Sequence, residues 1–400
     1  MSRPAAVERL ITTAVEDLAT ALGHDDPAGT TFPRAGFDAV RSSGLTALTV
    51  PAHLGGHGAG FGTVASAVTR VAAIDAAVGL VLAMHHLHTV DLFDAEPLAP
   101  SLAALAGRLT GPGGFVGGLV SEARSNAPHR GTRLAGRASR RAGGWVLDGR
   151  KTYVTGSLAL LAARVTLTVD GNDDDRRAFL VPFDAPGVTI IPAWDTVGLC
   201  GSVGHDLVLS DVRLGDDHDL GPETPPGPGA RKATWWPILL AAVSQGIAAH
   251  ALELVRGGAG VPSLRERPGD DPELRHVLHG GEALMAYQTC RAVVDSAVAR
   301  AEAGEAGRGE AGAAKVLAHR AATEVVDHVG RLVGTASVWR DHVWQRLYRD
   351  LRTGVHHSPP EDVVLGERAA HLLRPGRSAP PAVSPGRPGV PPAAASRAAP

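Results

Sequence analysis

Between about residue 111 and residue 215 the apolar pattern of this chain changes period, and that change limits what the whole can fold into. On either side, apolar residues recur at helical spacing. Inside, they alternate or run together in short β-type stretches: GFVGGLVSE, GWVLDGRKTYVTG, ARVTLTVD, RAFLVPF, GVTIIPAW and HDLVLSDVRL, separated by turns such as Asp148-Gly149. About six strands in so short a span predict an antiparallel barrel or sandwich, the barrel being the expected form. The expected fold is therefore α+β and multidomain: an N-terminal α-helical domain (1–110), a middle antiparallel β-barrel (111–215), a Pro/Gly-rich linker (216–232) and a C-terminal four-helix bundle (233–375). The tail at 376–400, rich in Pro and Ala, carries too little apolar surface to order itself.

Charge narrows the partners. The 39 basic and 41 acidic residues leave a net charge of -2, and no basic block or basic-aromatic stripe is present to neutralise phosphates, so nucleic acid is not an expected partner. Cys200 and Cys290, the two cysteines, lie far apart, which excludes a disulfide framework or thiolate metal site and fits a reducing cytoplasm. The first twenty residues read as an amphipathic helix rather than a signal peptide. The apolar run from Val71 to Met84, interrupted by Asp75, is shorter than the roughly 20 residues of a bilayer span, and no membrane association is expected.

Five stretches in this order carry a resemblance: VPAHLGGHGAGF (50–61), GLVSE (118–122), GWVLDGRKTYVTGS (144–157), FLVPFDAPGVTII (179–191) and AWDTVGLCGSVGHDLVLSDVRL (193–214). Together they resemble the acyl-CoA dehydrogenase superfamily of flavoproteins over roughly residues 5 to 375. The resemblance implies a flavin, FAD or FMN, between the middle domain and the bundle. It implies that Leu119, Val120 and Ser121 supply donors at the pyrimidine end of the ring, that Tyr153 walls the ring and that Thr155 reaches it near O4 and N5. A reduced flavin holds negative charge there, which is the physical reason for such donors. Gly334 and Thr335, in LVGTASV (332–338), stand where the family touches the adenine half of FAD. The resemblance also implies a homotetramer or homodimer built on the bundle, and a small-molecule substrate.

Departures from the family are equally informative. A dehydrogenase of this family needs a carboxylate base, usually a glutamate about eight residues after an Arg-Asp pair. Here that region reads RDLRTGVHHSPPED (349–362), with His357 or Ser358 at the glutamate's place. The other position the family uses, at the start of the first bundle helix, reads TWWPILL and has no acid. The Arg-x-x-Phe-Gly motif that grips the FAD pyrophosphate is replaced by a stretch in which Arg256 and Arg265 are the available substitutes, a change that favours a shorter flavin such as FMN.

One branch does have the observed pattern. RDLRTGVHHSP resembles the flavin-dependent monooxygenases related to dibenzothiophene monooxygenase, matching at Arg349, Asp350, Arg352, Thr353, His357 and Pro359. That branch also carries a histidine on an N-terminal helix, for which His85 in AMHHLH is the match, with His86 beside it. Histidine suits oxygen chemistry because it can hold and give up a proton near neutrality. The resemblance thus names His357 and His85 as catalytic, with reduced flavin delivered by a separate reductase. The alternatives are an acyl-CoA dehydrogenase whose base has moved to Glu361 or Glu122, and a non-catalytic flavin- or acyl-binding member. Arg349 and Asp350 are expected to form an ion pair anchoring the last helix. No metal is expected, because no carboxylate accompanies His85, His88, His356 and His357 at helical spacing.

Overall fold

The computed structural model describes residues 3–23, 26, 28–94, 97–122, 134–170, 172–223, 230–256 and 274–373. Parts of the linker and the whole of the 376–400 tail lie outside the described residues, as does Arg265. Five helices come first: α1 (Arg3–Leu22), α2 (Arg34–Ser42), α3 (Phe61–Ala72), α4 (Ala76–Thr89) and α5 (Pro100–Thr110). Eight strands follow: β1 (Phe115–Leu119), β2 (Arg137–Arg141), β3 (Gly144–Val154), β4 (Leu160–Val169), β5 (Asn172–Pro182), β6 (Val188–Ile191), β7 (His205–Gly215) and β8 (Asp219–Pro222). Five more helices end the chain: α6 (Ala230–Arg256), α7 (Leu274–Glu302), α8 (Arg308–Val333), α9 (Val343–Gly354) and α10 (Glu361–Leu373).

The sheet is not the closed antiparallel barrel that alternation predicts. It is open and mixed, in the order β6-β7-β3-β2-β4-β5-β8. β1 runs parallel to the first half of β4, and β2 pairs parallel with its last two residues. β4 is thus shared, and β6 and β8 are left as edges. The linker prediction also needs correcting: Asp219–Pro222 adds to β5 as an edge strand, held by Arg177 on Asp219 (2.7 Å). Pro222 is tolerated there because an edge strand can spare a donor.

One apolar core runs from the N-terminal helices across one sheet face into the bundle, uniting Ile11, Leu18, Val64 and Leu82 with Phe115, Val165 and Phe179 and with Ile238, Val325 and Leu351. A smaller core under α5 covers the opposite face around Val116, Ala162 and Leu180. α6 is long and apolar enough to cross a bilayer by length and composition, yet most of it is buried in the bundle. Its approach to α3 depends on Gly246: a Cβ there would sit 2.6 Å from both the Ala72 side chain and the Thr69 carbonyl. Side-chain volume, not polarity, sets that spacing.

A buried charge network joins the parts. Asp75 is 2% exposed, accepts from Val78 N–H as the N-cap of α4, and is paired with Arg346 of α9 at 2.5 Å. Arg346 also reaches Asp350 at 3.6 Å, and Asp350 accepts from Leu199 N–H at 2.5 Å. The expected Arg349–Asp350 pair is therefore replaced. Helix geometry places residues four apart on one face and neighbours on different faces, so Asp350 turns to Arg346 while Arg349 donates to the Ala28 carbonyl at 2.8 Å.

Removing the one cation of this network strands two buried carboxylates. Arg346→Met is expected to cost about 3–5 kcal/mol in chemical denaturation. Arg41→Met, which breaks only the exposed pair with Asp38, should cost no more than about 1 kcal/mol.

Candidate active site

The ends of β1 and β3 come together at one place. Thr152 N–H donates to the Ser121 carbonyl (3.0 Å), which sets Leu119, Val120 and Ser121 beside Tyr153 and Thr155. Beneath them Lys151, fully buried, pairs with Glu122 at 2.6 Å. Glu122 also accepts from Ala135 N–H (2.5 Å) and Gly136 N–H (3.1 Å). Burial pushes the Lys151 ammonium down, against the pull of Glu122. A buried pair with further hydrogen bonds is a fixed joint, and it engages both Glu122 oxygens.

Tyr153 is displayed by a bulge. Between Lys151↔Leu207 and Val154↔His205 the ladder slips, so Thr152 and Tyr153 together face the single residue Asp206. Tyr153 takes a positive φ of 57°, rare for an aromatic residue, and is 70% exposed. Its ring meets Trp194 edge-on, with centroids 6.2 Å apart. An exposed aromatic ring on the backbone that joins Ser121 and Thr155 offers a wall for a flat group such as an isoalloxazine ring.

From Tyr153 a chain of contacts leads to His357. Trp194 Nε1–H donates to the Leu199 carbonyl (3.3 Å), and Leu199 N–H donates to Asp350. Leu199 and Asp350 line a cavity of about 10 Å³, the scale of one water, together with Ser244, Lys315, Gly354 and His357. Lys315 Nζ holds the His357 and Pro359 carbonyls. His319 Nδ1 lies 3.3 Å from Ser244 Oγ. Burial, reinforced by Lys315, pushes the His357 imidazole down to about 4, and burial raises Asp350 to about 6. His357 is thus a neutral imidazole at pH 7, not a group titrating near neutrality.

His85 does not join this cavity. Its Nε2–H donates to the Thr46 carbonyl (2.8 Å) and its Nδ1 accepts from Val116 N–H (3.0 Å), so both nitrogens are spent on backbone. His86 turns Nδ1 to Thr49 Oγ1 (3.1 Å). The histidine of this helix that lies on the β1 strand is His88, whose ring covers Gly118; a Cβ at Gly118 would come within 2.0 Å of it. The sequence signal was the Gly117-Gly118 pair, a place for close approach inside a strand. Trp194 was likewise not singled out. Gly334 and Thr335 lie exposed in the turn after α8.

A helical N-terminal layer, a mixed sheet bearing this exposed aromatic residue, and a C-terminal helical bundle make up an architecture of the flavoprotein oxidoreductase class. The chain belongs to the acyl-CoA dehydrogenase family: the profile "Acyl-CoA dehydrogenase, N-terminal domain" matches residues 5–93, and "Acyl-CoA dehydrogenase, C-terminal domain" matches residues 237–355. The putative acyl-CoA dehydrogenase YdbM of Bacillus subtilis (strain 168) is 30% identical over 87% of this chain and 92% of its own length. L-evernosamine nitrososynthase of a Micromonospora species is 31% identical over 82% and 80%. Among solved structures, FMN-bound TdsC, a dibenzothiophene monooxygenase from Paenibacillus sp. A11-2, superposes with a TM-score of 0.80 over 94% of this chain and 99% of that one, at 23% identity. Like its family, this chain is a flavin-dependent oxidoreductase.

Buried histidines predict acid sensitivity. His85, His250, His319 and His357 are pushed to about 4 and His88 to about 3, by burial first, from 6.5 in the unfolded chain. The unfolded chain therefore binds more protons between pH 6.5 and 4, and folding stability is full above 6.5 and lost progressively below it. Asp350, raised from 3.8 to about 6, opposes this as a single group. The Tm should fall steeply from pH 6.5 to 4, and His85→Gln should flatten the slope.

Proposed function

We propose that this chain is a flavin-dependent monooxygenase that oxidises a small molecule with O₂, using reduced flavin supplied by a separate reductase. One observation carries the reading: both carboxylates offered as a relocated dehydrogenase base, Glu122 and Glu361, are engaged, while His357 lines a cavity. Glu122 is bound to Lys151 and Glu361 to Arg320. The dibenzothiophene monooxygenase and nitrososynthase relatives support it.

Bound reduced flavin would supply the electrons that activate oxygen. Tyr153 would cover one face of that ring, and Ser121 and Thr155 would donate to its carbonyls. FMN fits better than FAD, since the Arg-x-x-Phe-Gly motif that grips the FAD pyrophosphate is replaced; the FMN in TdsC supports this. His357, neutral at pH 7, would donate a hydrogen bond from one ring nitrogen and accept through the other, holding a proton without adding a full charge to the apolar cavity. His88, on α4 with its ring over Gly118, the residue before Leu119, would take the second position first given to His85.

With reduced FMN, O₂ and a sulfur- or nitrogen-bearing substrate, product formation coupled to oxygen uptake is expected. His357→Ala should lower kcat by about 10²–10⁴, and His85→Gln should lower stability while leaving kcat of the folded protein nearly unchanged. The pH profile should show no inflection at 6.5 and a loss towards 4. Anaerobic bleaching of bound flavin by an acyl-CoA, abolished in Glu361→Gln, would instead establish dehydrogenation, the reading that YdbM favours.

A further inference from the structure

A second recess lies on the other side of α6 from the His357 cavity. It is a groove of about 270 Å³ between α3, α6 and α7. Gln245 forms its floor and is 7% exposed, and its amide hydrogen-bonds to no group among the described residues. The Gln245 amide is open to the groove and offers a ligand both a donor and an acceptor. Ser244, the preceding residue, points the opposite way, to His319. One helix therefore walls both cavities.

The groove's charge selects the ligand. Asp295 and Glu302 line it from α7, and a separation of seven residues puts them on one helical face, about 10 Å apart along the axis. Val294 and Val298 supply an apolar strip between them. Glu302 already accepts from Gly62 N–H (2.8 Å) through one oxygen, leaving the other to the groove. Asp295 has only an exposed pair with Arg291 (3.3 Å), a weak competitor. Arg70, which also lines the groove, is taken by Glu8 (2.7 Å) and Thr12 (2.9 Å).

We propose that this groove binds a short aliphatic diamine, with one ammonium group at Asp295, the other at Glu302, the alkyl chain on the valine strip, and the Gln245 carbonyl accepting from an ammonium N–H. The site is separate from the flavin region and stands whether or not the monooxygenase reading does.

Calorimetric titration of the full chain with 1,4-diaminobutane tests it, beside n-butylamine, 1,4-butanediol and sodium chloride at matched ionic strength. The diamine should bind at unit stoichiometry and raise the Tm, with butylamine weaker and the diol and salt without effect. Asp295→Asn, a conservative change at an exposed position, and Gln245→Leu should each weaken binding about tenfold or more. Absence of diamine binding, an equal effect of matched salt, or binding unchanged in Asp295→Asn overturns the proposal.

Discussion

The Arg346 guanidinium between Asp75 and Asp350 is the joint on which the architecture depends. Asp75 begins α4, Arg346 and Asp350 belong to α9, and Asp350 in turn holds Leu199 in the loop between β6 and β7. Three segments distant in sequence are thereby fixed at one buried point. An ion pair removed from water contributes little net stability, since desolvation offsets its attraction, but it penalises every arrangement that leaves one charge alone. The network therefore specifies how the N-terminal helices, the sheet and the last helices meet, while apolar burial supplies the driving force.

The order of helical, β and helical regions was legible because hydrophobic period is a local property. Barrel closure was not: whether strands close or stay open depends on pairing between β1, β2 and β4, which alternation within each strand does not encode. The histidines show the same limit. α4 is apolar on nearly every side, so its sequence has no phase by which to tell an inward residue from one facing a site. Matching by position chose His85; the structure spends His85 on two backbone groups and lays His88 over Gly118. In the Tyr153–Thr155 and Leu119–Ser121 stretches, by contrast, hairpin pairing follows from the motif, and the two stretches do meet through Thr152 and Ser121.

Burial changes what the site histidines can contribute. An imidazole pushed to about 4 is a poor acid at neutral pH, but it is a good dipole: one nitrogen donates, the other accepts, and no counter-ion is required in an apolar cavity. Lys315 reinforces this from beneath by binding the His357 carbonyl, so the cation that keeps the ring neutral also fixes its backbone. Placement and protonation state thus have a common cause.

The bulge at Thr152 and Tyr153 also makes the hairpin a counting device. Side chains alternate between sheet faces, so each residue's side is set by its parity along the strand. Two residues opposite one reset that parity at the point where Tyr153 emerges. Loss of a single residue there would regularise the ladder and exchange inward for outward along the segment that leads to Thr155. In this stretch the number of residues is therefore constrained independently of which residues they are, since a change of length alone would carry Thr155 to the other face.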